Sequence, residues 1–151
     1  MIIRNLVVGL MAATAVNLTS TNPSFNRVHT QSADTLLAGT WYLQPVLPSD
    51  MASGSVASIN FDLSRNSFTG STGCNVMRGQ FKRSGKGLMF NDQVVTTRMS
   101  CPGYNEANFL RNLLRTNSYR IEKGILILMV DNTELSRWTR KVTKPKKTDT
   151  V

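Results

Sequence analysis

From Trp41 onward, apolar and polar side chains mostly alternate with period two, the signature of half-buried strands. Trp41 and Leu43 share one face with Tyr42 opposite, and Ile59, Phe61 and Leu63 alternate with Asn60 and Asp62. Pro45, Pro48 and the small polar run Ser49 to Ser55 make a loop between these two strands. Ser64-Arg65-Asn66 predicts a turn, Phe68 begins the return strand, and Gln80 to Lys82 predicts a further short strand. After a glycine-permitted turn at Ser84 to Gly87 come Leu88 and Phe90. Val95, Thr97, Met99 and Cys101 then predict one inward face of a strand, with Thr96, Arg98 and Ser100 on the other.

One segment breaks the rhythm. Between Tyr104 and Arg115, Phe109, Leu110, Leu113 and Leu114 fall at spacings of one, three and four, an amphipathic helix stripe. Pro102 and Gly103 stop the preceding strand, and Asn117 marks the end. Strands resume with Tyr119 and Ile121, a hairpin turn at Glu122-Lys123-Gly124, and Ile125 to Val130, which is apolar on both faces and predicts a central strand covered on both sides. Asp131-Asn132-Thr133 turns the chain into a last strand from Leu135 to Lys141. The expected fold class is α+β, mainly β: about eight short strands with one helix inserted late. Curling such a sheet into an antiparallel, partly open barrel with the helix closing the gap protects its edges.

The ends of the chain read differently. Arg4, the apolar run Leu6 to Val16 and the polar residues from Asn17 form the tripartite pattern of a secretory signal over residues 1–20. The run is shorter than the about 20 residues that span a bilayer. Cleavage fits either Ala13-Thr14-Ala15 or Leu18-Thr19-Ser20, and no Cys follows the run to accept a lipid. Residues 21–35 are polar and read as a flexible linker, 36–142 as the folded domain and 143–151 as a basic tail. The expectation is an exported protein, periplasmic or secreted, without a transmembrane span.

Charge and chemistry narrow the function. There are 18 Lys plus Arg against 9 Asp plus Glu, so the chain is attracted to polyanions. Arg137, Arg140, Lys141, Lys144, Lys146 and Lys147 gather at the C-terminal end, either as a solvated tail or as a contact for an anionic membrane surface. Nucleic acid is not the expected partner, because the aromatics fall on the apolar faces of strands and match no paired base-stacking motif. The sole His, His29, lies in the linker, which removes the usual activating base for a Ser or Cys nucleophile. The acids have structural explanations, Glu106 for instance complementing a helix dipole. Gly70-Ser71-Thr72-Gly73 lacks the following Lys and helix of a phosphate loop. No catalytic residue, cofactor or metal is expected. Cys74 and Cys101 are expected to pair in an exported chain, with two buried free thiols as the alternative.

The order of particular residues adds a resemblance. Gly39-Thr40-Trp41-Tyr42-Leu43, Gly70-x-x-Gly73-Cys74-Asn75, Gly79-x-Phe81, Thr97-x-Met99-x-Cys101, Glu106-x-x-Phe109 and Leu126-x-Leu128 follow one another as in the META domain family, which includes the bacterial HslJ-like proteins. The series resembles that family from about Leu37 to Lys141. The resemblance implies an antiparallel cracked barrel with one helix, an envelope setting and an association with stress. It implies no catalytic residues, and the family motif residues Trp41, Leu43, Gly73, Cys74, Asn75, Gly79, Thr97, Met99 and Cys101 read as scaffold. The expected function is a non-enzymatic envelope module that binds a hydrophobic ligand or a partner protein. The alternatives are a polyanion-binding protein acting through its basic end, and an enzyme.

Overall fold

A computed structural model describes residues 33–45, 51, 52 and 55–142. The residues expected to form a signal (1–20), His29, most of the expected linker, Pro48 and residues 143–151 lie outside the described residues. The elements in chain order are helix α1 (Ala33–Leu37), strands β1 (Gly39–Leu43), β2 (Ser58–Asp62), β3 (Ser67–Ser71), β4 (Val76–Ser84), β5 (Gly87–Phe90) and β6 (Val95–Thr96), helix α2 (Glu106–Leu114), and strands β7 (Ser118–Glu122), β8 (Ile125–Val130) and β9 (Thr133–Thr139).

All pairings are antiparallel, in the order β3-β2-β1-β9-β8-β7-β5-β4-β6, and β3 also pairs with β4. That extra pairing brings the sheet round on itself as a ring, the partly open barrel expected, with β6 hanging from β4. Two seams are thin: β5 meets β7 at Gly87↔Ser118 alone, and β1 meets β9 only at Tyr42↔Thr139 and Leu43↔Trp138. Helix α2 packs against β5 and β9, strands three places apart in the ring.

Period-two alternation fills the ring. Trp41, Ile59, Phe61, Phe68, Met77, Phe81, Leu88, Leu126, Leu128 and Trp138 form one buried cluster. Phe61 meets Phe81 edge to face at 5.4 Å, and Phe68 meets Phe90 at 5.1 Å, the arrangement the ring quadrupoles favour. Helix α1, not foreseen in the sequence, supplies buried Leu37, whose carbonyl accepts the Trp41 indole N–H at 2.8 Å.

The turns carry their own chemistry. Asn66, Lys123 and Asp131 hold positive φ between strands, as tight hairpins demand. Asp62 Oδ1 accepts from Ser64 Oγ and from the N–H groups of Ser64 and Arg65. The Ser64 hydroxyl, then the Arg65 N–H, hold that carboxyl below its ordinary range.

Strand β8 is central, as its apolar run predicts, and Leu126, Ile127 and Leu128 are buried in succession. The outward one, Ile127, is flanked across the strands by Arg120 and Arg137. Those arginines pair with Glu122 and Glu134, so an ion-paired lattice rather than a second layer covers it.

Two expectations are corrected. Strand β4 runs the full length from Val76 to Ser84, not only Gln80 to Lys82. Its Gly79 stands where an added Cβ would lie 2.8 Å from the Phe68 ring. Gly79→Ala is therefore expected to cost about 1–3 kcal/mol through overpacking, read by urea unfolding. The second correction concerns Val95 to Cys101. Only Val95–Thr96 is strand, Val95 and Met99 are 54% and 62% exposed, and Thr97 is also exposed. The face expected to point inward points largely out, because the backbone beyond Thr97 is held by a side chain and not by a neighbouring strand.

A polar knot beside an open cleft

That side chain is Asn75. It is 1% exposed and follows Gly73, whose φ of +98° bends the chain out of β3. Asn75 Oδ1 accepts from the Met99 N–H at 2.7 Å and from Thr97 Oγ1 at 2.8 Å. Its Nδ2 donates to the Met99 carbonyl at 3.1 Å, so one amide clamps both sides of one peptide residue. Nδ2 also donates to both Glu106 oxygens, at 3.0 and 2.9 Å. Buried Thr72 donates its hydroxyl to Glu106 Oε1 and accepts from the N–H groups of Cys74 and Asn75. The Tyr104 hydroxyl donates to the Thr72 carbonyl. Glu106 opens α2, so beyond complementing the helix dipole it ties the helix to the β3–β4 bend. Cys74 and Cys101 are joined as a disulfide with Cα atoms 5.9 Å apart. The segment from Thr97 to Asn105 is thus held at Asn75, Cys74 and Thr72, all within one bend.

This segment frames two clefts. The smaller lies between Cys74, Met99 and Glu106. The larger, of about 760 Å3, opens between Gly103–Asn105, one face of α2, the end of β1 and β9. It sits at the thin β1–β9 seam, where β9 from Thr133 to Ser136 has no partner residue on β1 and Gln44, just past β1, donates its N–H to the Arg137 carbonyl at 2.8 Å. Leu43, Phe109, Leu113, Leu135 and Trp138 supply its apolar surface, and Phe109 packs on Trp138 with centroids 6.2 Å apart. Asn108 and Asn112, one turn apart on α2, and Gln44 add amides. The Gln44 Oε1 is buried and has no hydrogen-bond partner among the described residues. Glu134 and Arg137 also line the cleft but are bound to each other through two N–H···O contacts, and Glu134 holds the Arg137 guanidinium above its ordinary pKa.

The expected site residues are thereby separated. Gly73, Cys74, Asn75, Thr97, Met99 and Cys101 meet in the knot. Trp41 and Leu43 belong to β1, the former in the core and the latter at the cleft. At the basic end Arg137 is ion-paired, and Arg140 lies 3.7 Å over the Trp41 ring while donating to the Thr40 and Leu36 carbonyls. Burial there pushes Arg140 below its ordinary pKa. Lys141 is exposed, and Lys144, Lys146 and Lys147 lie outside the described residues. Gln44, Asn108, Asn112 and Leu135 had no signal in the sequence, since polar loop and helix residues reveal a shared cleft only once the seam brings them together.

A family model described as the META domain matches residues 34–142. Among solved structures, an NMR structure of a protein from Burkholderia xenovorans shares 20% identity at TM-score 0.57, covering 91% of this chain and 100% of that one. A crystal structure of a DUF4847 family protein from Bacteroides vulgatus shares 16% identity at TM-score 0.55, covering 78% and 99%. At such identities the likeness shows the fold alone. No curated protein matches the chain.

Proposed function

The chain belongs to the META domain family, and from that premise we propose that it is a non-enzymatic, exported envelope protein that holds a hydrophobic ligand or a partner's segment in the cleft at its β1–β9 seam. The observation that carries this reading is the cleft itself. Its volume of about 760 Å3 lies within the range of small-molecule sites, and its lining is about equally polar and apolar, with Leu43, Phe109 and Leu135 set beside the amides of Gln44, Asn105, Asn108 and Asn112. The unpartnered Gln44 Oε1 is closed to solvent at the cleft margin, a costly arrangement that turning the side chain toward a ligand's donor would relieve.

A binding role rather than catalysis is supported by how the carboxylates are spent. Glu106 is consumed in the knot, Asp62 caps a turn, and Glu122 and Glu134 pair with arginines. No cluster of three His, Cys, Asp or Glu stands among the described residues. Export is supported by the leader-like residues 1–20 and by the disulfide, which persists in oxidising compartments. None of the described helices is long and apolar enough to cross a membrane. A role in envelope stress rests on the family association.

Native mass spectrometry of protein recovered from the exported fraction, without detergent, tests the reading. A discrete extra mass that vanishes on denaturation is expected. Leu135→Trp, at a half-buried position on the cleft wall, is expected to abolish that mass without lowering the melting temperature. A bare polypeptide mass for the unaltered protein would remove the small-ligand form and leave the partner segment. A ligand retained in full by Leu135→Trp would place binding elsewhere.

A further inference from the structure

The outer face of β4 has no part in the cleft. Val76, Arg78, Gln80 and Lys82 are exposed there in alternation with buried Met77 and Phe81. The register sets Val95 of β6 opposite Arg78 and Met89 of β5 opposite Lys82. Val76 is 63% exposed, Met89 52%, Val95 54% and Met99, just beyond β6, 62%. These are four of the seven large apolar side chains exposed among the described residues, so the exposure is concentrated and not scattered. On the opposite flank β3 sets Thr69 beside Arg78 and Ser71 beside Val76. No carboxylate occupies any of these register positions. Arg78, Lys82 and Arg98 have no ion pair among the described residues, whereas Arg120 and Arg137 on the β7–β9 side are matched by Glu122 and Glu134. The register therefore places unneutralised Arg78 and Lys82 on one face with exposed Val76, Met89 and Val95, and exposed Arg98 and Met99 follow β6 directly in the chain.

We infer that this face of β4, β5 and β6 docks on an anionic lipid surface. The cations reach lipid phosphates while the valine and methionine side chains enter the headgroup boundary, the division of labour of interfacial protein segments. Each Lys or Arg close to an anionic leaflet strengthens binding about fivefold. A nucleic acid would need stacking platforms, and none of the seven exposed large apolar residues is aromatic. The site is independent of the cleft and of the C-terminal lysines.

Co-sedimentation of the full chain with phosphatidylcholine vesicles, with and without phosphatidylglycerol, tests the inference. The unaltered protein is expected to prefer the anionic vesicles. R78Q/K82Q/R98Q is expected to reduce that preference on the order of a hundredfold, three cations at about fivefold each. V76S/M89S/V95S is expected to weaken anionic-vesicle binding as well, and neither variant to shift the melting temperature, since all six side chains are exposed. Residues 1–32 and 143–151 are common to the unaltered protein and these two variants, so they cancel in that comparison. Absence of any preference in the unaltered protein overturns the inference. So does a preference retained by R78Q/K82Q/R98Q but lost when Lys144, Lys146 and Lys147 become Gln, which would assign binding to the tail. Unchanged lipid binding by V76S/M89S/V95S, with full competition by a single-stranded oligonucleotide, would make the face a general polyanion site and overturn the lipid assignment.

Discussion

Asn75→Ala is expected to destabilise the protein by about 3–4 kcal/mol and to lower its Tm by roughly 15 °C. The side chain makes six hydrogen bonds, to Met99 N–H, the Met99 carbonyl, Thr97 Oγ1, both oxygens of Glu106 and, at 3.6 Å, Cys74 Sγ. Truncation strands the Met99 peptide groups and leaves the Glu106 carboxylate with the Thr72 hydroxyl. Leaving a buried polar group unsatisfied costs about 1–3 kcal/mol. The full sum is not reached because the Met99 side chain is exposed and water can enter from that side. Glu106→Gln is the informative partner variant. It keeps the shape but sets an amide N–H against Asn75 Nδ2, donor facing donor, for an expected cost of about 1–2 kcal/mol. Because the single Asn75→Ala change orphans a charge that Gln no longer carries, the double variant is expected to lose less than the sum of the two by about 1 kcal/mol. Chemical denaturation of the four proteins measures this. Strict additivity would mean that Asn75 and Glu106 do not act through each other.

The knot also explains what could and could not be read in the sequence. Strands β1, β2 and β7 and helix α2 were legible because each buries one face and the period shows it, and β8 was legible because its unbroken apolar run marks a central strand. Strand β4 was legible only at its centre: Val76 points out, and Gly79 leaves a gap that the Phe68 ring fills. The residues from Val95 to Cys101 carry a continuous period-two pattern that is strand only at Val95–Thr96. There the amide of Asn75 replaces the neighbouring backbone, and a long-range side-chain partner leaves no local mark. Glu106 illustrates the same limit. Its place in the first helical turn is sufficient by local rules, and its burial against Asn75 depends on a bend 31 residues earlier. The cleft was illegible for a different reason. It exists because β1 and β9 pair over only two residues, a property of how the ring meets and not of any one segment.

Reduction of the disulfide, or the C74A/C101A change, is expected to cost about 3.5 kcal/mol. The bond closes a loop with a sequence separation of 27, and in the chain-entropy account the cost follows from the freedom the unfolded chain regains. Titration of the denatured, unreduced protein should find no thiol, and two would contradict the pairing. The same bond also fastens the segment that frames both clefts, two residues before Gly103. These two roles predict different couplings. If the bond acts on the unfolded chain, its removal costs the same about 3.5 kcal/mol in the Glu106→Gln background as in the unaltered protein. If it acts by holding Thr97 to Asn105 in the folded state, a loosened knot makes its loss dearer, because no second anchor keeps the segment in place. Equal costs are expected: Asn75 still grips both sides of Met99 when Glu106 is Gln, so the folded segment retains its anchor without the bond. Ligand retention should then survive reduction at temperatures well below the new Tm. Loss of the bound mass on reduction, with the fold intact, would instead make the disulfide a direct support of the cleft.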